Sequence, residues 1–239
     1  MIIDCEQGSE TWFAYRLGKA SASRMADITA LTKTGYGASR ANYLAELVAQ
    51  RLTGVYAESY SNGAMQWGSE HEADARGLYE FMTNARVTLV GVALHDSIPN
   101  ACASPDGLVA DDGLVEFKCP NTATHISTLL GAEIPGKYLK QMQWQMACTG
   151  RKWSDFVSYD PRMPPEMQLH IQRVPRREDD ITALSLATEL FLSEVDKTEE
   201  ALREKYSVST FVEDRVATLE PARVVRVAIY GTTTTSTSS

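Results

Sequence analysis

The sequence is poor in the features that mark several large classes of protein. None of its apolar runs approaches the ~20 residues that a bilayer-crossing helix needs, so no membrane association is expected. Cysteine is scarce and scattered. Cys5, Cys102, Cys119 and Cys148 include no Cys-x-x-Cys pair, which argues against a zinc or iron–sulfur centre and for a reduced, cytoplasmic protein. The opening Met1-Ile2-Ile3-Asp4-Cys5 has no basic segment ahead of an apolar one, so no secretory leader is expected. Positive charge is short as well. The net charge of −8 does not advertise a nucleic-acid binder.

What is present reads as a soluble globular chain. At 239 residues, with 44% hydrophobic and 23% charged content, the composition is ordinary, and a chain of this size buries roughly 70–75% of its unfolded surface. The charge is unevenly spread. Residues 134–177 hold eight Lys/Arg against three Asp/Glu, a local +5, and residues 178–206 hold nine acids against three bases, a local −6. Such segregation allows a basic groove on an acidic body, and equally a solvated acidic helix beside an ordinary loop region.

The most informative stretch is Ser104-Pro105-Asp106-Gly107 followed by Glu116-Phe117-Lys118. Asp111-Asp112-Gly113 is a turn signal between the apolar runs Leu108-Val109-Ala110 and Leu114-Val115, so a hairpin is predicted. On its second strand Glu116 and Lys118 share one face and Phe117 points the other way, into a core. Two carboxylates and an ammonium can then converge as a divalent-metal site for phosphodiester hydrolysis. Carboxylate oxygens hold a hard cation, and the cation generates hydroxide near neutral pH and steadies charge on the phosphate. A Glu-x-Lys pair on a strand is more often an ordinary surface pair. Against that, Val115, Phe117 and Cys119 make this strand apolar, and charges placed there are costly unless partnered.

Elsewhere the pattern is of alternating helices and strands. Residues 10–17 begin a short helix that Gly18 ends, and Ser21 and Ser23 fall at the start of the next. Arg16 beside such a helix start suits a phosphate, or is a surface residue near a plain cap. Residues 31–38 read as a flexible loop that contacts a ligand. Helices are predicted over residues 39–52 and 65–83. On the second, Glu72 shares the face of Ala75 and Tyr79, an inward position where an acid needs a metal or an arginine. Residues 86–95 read as one strand, then the hairpin, then helices over 122–130 and 136–149. On the latter Tyr138, Gln141 and Gln145 form a stripe, either boundary packing or a reach toward water or phosphate. Strands at 155–159 and 168–174 precede a long helix at 179–206. Residues 223–230 suit a strand, and the Thr/Ser run 232–239 reads as disordered. The order suggests one α/β domain, a central mixed sheet flanked by helices.

Six blocks carry a resemblance. They are Trp12…Arg16…Ser21-Ala22-Ser23, Trp67-Gly68…Glu72-Ala73-Asp74-Ala75-Arg76, Ser104-Pro105-Asp106-Gly107-Leu108, Glu116-Phe117-Lys118-Cys119-Pro120, Gln141-Met142-Gln143 and Tyr159-Asp160-Pro161-Arg162-Met163. In this order they resemble the phage lambda exonuclease (YqaJ-type viral recombinase) family of the PD-(D/E)xK nuclease superfamily. The resemblance implies a restriction-endonuclease-like core over residues 1–206, with 207–239 as an extension. It implies a magnesium-dependent exonuclease, active also with manganese, that degrades one strand of duplex DNA from its 5′ end. The 3′ single strand left behind would serve a phage single-strand annealing protein in recombination. Carried over by position, Asp106, Glu116 and the Phe117 carbonyl would bind metal, and Glu72 would complete a second metal position. Lys118 would activate water, with Gln141 assisting, and Arg16, Ser23 and Ser104 would hold a 5′-terminal phosphate. A ring-shaped homotrimer around the DNA, phage- or prophage-encoded and in the bacterial cytoplasm, is the implied setting. Enclosure would also let an acidic chain retain DNA. Two rivals are a related nuclease of other polarity or endonuclease habit, and a catalytically silent DNA-end-binding module. The intact acid, acid, lysine set argues against the second.

Overall fold

The turn expected at Asp111-Asp112-Gly113 is present, and it organises the five-stranded sheet of the computed structural model, which describes residues 1–33, 35–56 and 63–206. The chain opens with β1 (Ile2–Ile3), α1 (Glu10–Arg16), β2 (Ala20–Ser21), α2 (Met25–Ile28), β3 (Leu31–Thr32), β4 (Gly35–Tyr36), α3 (Ala38–Thr53) and α4 (Gly63–Thr83). A run of strands follows: β5 (Val87–Thr88), β6 (Val92–Leu94), β7 (Ala101–Ala103), β8 (Gly107–Val109) and β9 (Gly113–Lys118). Then come α5 (Thr122–Leu129), α6 (Gly136–Thr149), β10 (Trp153–Tyr159), β11 (Leu169–Pro175) and α7 (Glu178–Lys205). Met1–Glu199 is one compact unit and Glu200–Ser239 a second, described as far as Tyr206. The strand and the Thr/Ser tail expected beyond residue 206 lie outside the described residues. No helix among the described residues is long and apolar enough to cross a membrane.

The five-stranded sheet runs β11-β10-β9-β8-β5, with β9 and β10 parallel and the other neighbours antiparallel. This is the expected central mixed sheet. Its faces are covered by different helices. Val115, Phe117, Val157 and Tyr159 pack with Ala75 and Tyr79 of α4, whereas Phe156 and Val174 pack with Met142 of α6. A strand covered on both sides becomes a continuous apolar run. Leu114, Val115 and Phe117 are accordingly buried on either side of Glu116, each contributing roughly 1.5–3 kcal/mol by burial.

The β8–β9 hairpin is clamped from outside. Arg151 Nη1 donates to the carbonyls of Ala110 (2.9 Å) and Gly113 (2.7 Å), and Trp153 Nε1 donates to Asp112 Oδ1 at 3.1 Å. Ala110 sits at φ 49°, in the left-handed region the turn requires. The Trp153 ring lies where a side chain at position 113 would be: a Cβ there would come within 2.0 Å of it.

A second sheet of four short strands runs β1-β6-β7-β2. It corrects the single strand expected at 86–95. That segment is two strands in different sheets, β5 in the larger and β6 in the smaller. The chain crosses at Gly91, where a Cβ would meet Cys5 Sγ at 2.3 Å. β1, β2 and β7 are two or three residues long, too short to carry an alternation signal. Ser21 lies in β2 and makes no side-chain cap bond to the 3-10 turn Ala22–Arg24 that follows it. Within the segment expected as a loop, Leu31–Thr32 and Gly35–Tyr36 pair antiparallel as β3 and β4. Finally, Ser104-Pro105-Asp106 links β7 of one sheet to β8 of the other, and Gln7 Nε2 donates to the Pro105 carbonyl at 2.9 Å.

Replacing Gly113 with Ala should strain this hairpin against Trp153. Overpacking of that kind costs about 1–3 kcal/mol, so urea denaturation of Gly113→Ala should show a lower midpoint at an unchanged slope. An unchanged midpoint would mean that the ring moves aside freely.

Candidate active site

Glu116 is fully buried, on the face of β9 that α6 covers. A charge in that position needs donors, and three converge on it. Lys118 Nζ and Gln141 Nε2 (2.6 Å) meet Oε1, and Gln145 Nε2 meets Oε2 at 2.6 Å. The period of the strand puts Lys118 on the face of Glu116, and the period of the helix puts Gln141 and Gln145 one turn apart on α6. Asp106 ends the Ser104-Pro105-Asp106 link, and its Oδ2 accepts the Phe117 N–H at 2.7 Å. This bond ties the start of the hairpin to its second strand.

A cavity of ≈ 500 Å³ opens over these groups, lined by Glu72, Asp106, Phe117, Lys118, Cys119 and Tyr138 among others. Glu72 comes from α4, so the inward acid expected on that helix is at the cavity wall, while Glu70 and Asp74 are exposed. Burial, and then repulsion from Glu116, push the Asp106 carboxyl well above the usual aspartate range. The same two causes raise Glu72. Burial works against the Lys118 ammonium, but the Glu116 and Asp106 charges outweigh it and hold its pKa above that of an ordinary lysine. Cys119 keeps its proton, its pKa pushed up to about 12 by burial and then by Glu72 and Asp106.

The donor set is all hard oxygen. Among the described residues no three His, Cys, Asp or Glu side chains close a cage around an ion by themselves. Magnesium does not require one: it is held by one or two carboxylates and keeps water or substrate oxygens at its other positions. Asp106 and Glu116 meet that requirement, and a dication would offset both the burial and the Glu116 repulsion that raise Asp106 and Glu72. The residues fit such an ion.

A second group of donors lies at the other end of the link. Ser104 Oγ accepts from Trp12 Nε1 at 2.9 Å and from Arg16 Nη1 at 3.1 Å. Both of its lone pairs are then in use, and its own proton is left to donate. Arg16 is buried and stacks on Trp12 at 4.2 Å, and its Nε is buried without a partner. Ser23 Oγ lies 3.4 Å from Ser21 Oγ. Arg16 and Ser104 are therefore brought together, and Ser23 is exposed on the adjoining turn. Trp12, to which composition and spacing alone assigned no role, joins these groups, as does Gln145, whose place in the Tyr138/Gln141/Gln145 stripe had left it either packing or a reach toward water or phosphate. The Gln141/Gln145 repeat was the signal for the second.

The basic segment at 134–177 does not form a groove of unpaired cations. Arg162, Arg173, Arg176, Arg177 and Lys152 pair with Asp160, Asp155, Glu178, Asp180 and Asp112, and from that segment Lys137 and Tyr138 line the cavity.

The raised Asp106 carboxyl gives a signed expectation. With its folded-state pKa above the unfolded value, ionisation works against folding, so the stability it lends at low pH is lost as pH rises through the raised value. Asp106→Asn removes that charge and keeps an acceptor for Phe117. In chelator, it should raise Tm by roughly 2–4 °C at pH 8, as expected for about 1 kcal/mol in a chain this size, and leave it nearly unchanged at pH 4. Scanning calorimetry at the two pH values checks this; a gain confined to pH 4 would contradict it.

Comparison with known proteins follows the same lines. The YqaJ-like viral recombinase domain matches residues 11–152, which contain both groups of donors. The crystal structure of an alkaline exonuclease (LHK-Exo) from Laribacter hongkongensis is 49% identical, with a TM-score of 0.76 over 82% of this chain and 97% of that one. LHK-Exo in complex with dAMP is 50% identical at a TM-score of 0.77, over the same shares of the two chains. A phage-related exonuclease from Haemophilus somnus 129PT, 16% identical over 77% of this chain and 96% of its own, shares the fold at a TM-score of 0.63. A search of curated proteins gave no match. With the domain match spanning more than half its length and near-half identity to solved exonucleases, this chain belongs to the YqaJ-like viral recombinase family.

Proposed function

We propose that the protein is a magnesium-dependent exonuclease that degrades one strand of linear duplex DNA from its 5′ end, leaving 3′ single strands for annealing-based recombination. The observation that carries this reading is the pairing of two sites on one short link. Ser104, in the anion-ready group with Arg16, and Asp106, in the carboxylate cavity, are two residues apart, a span of at most ~7 Å along an extended chain. A terminal phosphate held by Arg16 and Ser104 sets the next phosphodiester near Asp106 and Glu116. The relative LHK-Exo crystallises with dAMP, a deoxynucleoside monophosphate, which is the kind of product that removal of single nucleotides yields.

In this reading Asp106 and Glu116, with the Phe117 carbonyl, hold one Mg2+, and Glu72 contributes to a second; Mn2+ substitutes. The dication, when bound, supplies Lewis acidity at the phosphate and lowers the pKa of a water. Lys118, kept cationic by the two carboxylates, orients the attacking water. Gln141 holds Glu116 by its Oε1 and reaches toward the same water. Arg16, Ser104 and Ser23 bind the 5′-phosphate through charge-assisted bonds and so choose which bond is cut. A trimeric ring around the duplex would retain DNA on a chain of net charge −8 whose most basic segment has five of its eight cations paired with carboxylates. A phage annealing protein would take up the 3′ strand.

The deciding experiment is magnesium-titrated digestion of end-labelled linear duplex carrying a 5′-phosphate on one strand, alongside covalently closed circles. Loss of label from the phosphorylated strand with circles intact is expected. Cleaved circles would indicate an endonuclease, and no digestion at any magnesium concentration a silent binding module. Asp106→Ala, Glu116→Ala and Lys118→Ala should each lower the rate about 10³-fold or more, the equivalent of about 4 kcal/mol of transition-state stabilisation, while circular dichroism stays native. Turnover near that of the wild type in any one removes that residue from the mechanism. Arg16→Ala should slow digestion of phosphorylated ends selectively; an equal loss on hydroxyl ends would dismiss the phosphate pocket.

A further inference from the structure

We propose that Gln145 is a positioning residue that sets the direction in which Glu116 presents its remaining acceptor site to a bound dication; this rests on the nuclease reading above. Gln145 lies on α6 one turn beyond Gln141 and is fully buried. Its Nε2 donates to Glu116 Oε2 at 2.6 Å, whereas Lys118 Nζ and Gln141 Nε2 both serve Oε1. A carboxylate has about four acceptor sites. Two donors on Oε1 and one on Oε2 leave the remaining acceptor capacity on Oε2, and the approach of Gln145 decides which side of that oxygen it occupies.

The other end of the amide carries the argument. Gln145 Oε1 is buried and has no hydrogen-bond partner. Core filling does not call for such a group, since an apolar side chain of the same size fills the space without a stranded acceptor. Turning the amide round would set its oxygen against the carboxylate, so the orientation is dictated by Glu116. An amide also suits the task better than a second cation. Lys118 already balances one charge, and a further cation would cancel the negative charge that attracts a metal. Gln145 supplies direction without charge.

Two variants test this: Gln145→Met, which keeps length and removes the donor, and Gln145→Glu, which keeps shape and replaces the donor with an acceptor. Both are measured against wild type by calorimetric Mn2+ titration, by the split between kcat and KM on 5′-phosphorylated duplex, and by circular dichroism. Loss of an outer partner of a metal ligand typically costs 10–100-fold. Mn2+ affinity should therefore fall about tenfold or more, and kcat by a similar factor, with KM for DNA ends unchanged and Gln145→Glu hit at least as hard as Gln145→Met. A crystal structure of Gln145→Met should show the Glu116 carboxylate turned from its wild-type position. If both variants keep Mn2+ affinity and kcat within twofold of wild type, Gln145 is packing and the proposal fails while the nuclease reading stands. If the wild-type chain itself takes up no Mn2+, both fail together.

Discussion

A carboxylate taken wholly out of water must be met by donors or give up its charge, and the arrangement around Glu116 is built on that constraint. The strand that carries it is covered on both faces, so solvent cannot help. The partners come instead from Lys118, two residues along the same strand, and from Gln141 and Gln145 on the helix across it. Burial first, and then repulsion from Glu116, raise the Asp106 and Glu72 carboxyls, and attraction to Glu116 and Asp106 keeps Lys118 cationic against its own burial. The electrostatics of the cavity thus follow from burial and from the carboxylates it brings together.

The same economy explains how a chain of net charge −8 can act on a polyanion. Positive charge is kept where it is aimed. Arg16 is buried against Trp12 with its Nε unpartnered, and Lys118 is fixed between carboxylates. Elsewhere the arginines are spent on structure: Arg173 on the buried Asp155, Arg162 on the buried Asp160, and Arg151 on the carbonyls of the hairpin turn. Among the described residues, the segment richest in Lys and Arg therefore offers little of the unpaired positive charge that a broad DNA-binding face uses.

The parts legible in the sequence are those with a strong local pattern. The turn at Asp111-Asp112-Gly113 and the alternation through Glu116, Phe117 and Lys118 gave the hairpin and its facing charges, and the helical spacing of Glu72 with Ala75 and Tyr79 gave the acid on the cavity wall. The smaller sheet was not legible because its strands are two or three residues long and are assembled from distant segments. Gly91, where the chain changes sheet, looks like any glycine until Cys5 is set beside it. Likewise Trp12 bonds Ser104 across 92 residues, a contact no periodicity announces. The charge count over 134–177 left a basic groove and an ordinary solvated surface equally open, since it could not see that Arg162, Arg173, Arg176 and Arg177 face carboxylates.

The link between the two sheets has a mechanical consequence. Ser104, Pro105 and Asp106 are successive residues, the middle one a buried proline with fixed φ and its carbonyl held by Gln7. The distance between the hydroxyl that Arg16 holds and the carboxylate of the cavity is therefore a covalent gauge, stiff on the scale of a single nucleotide. In the exonuclease reading proposed above, that fixed spacing is what would keep the length removed constant from one step to the next.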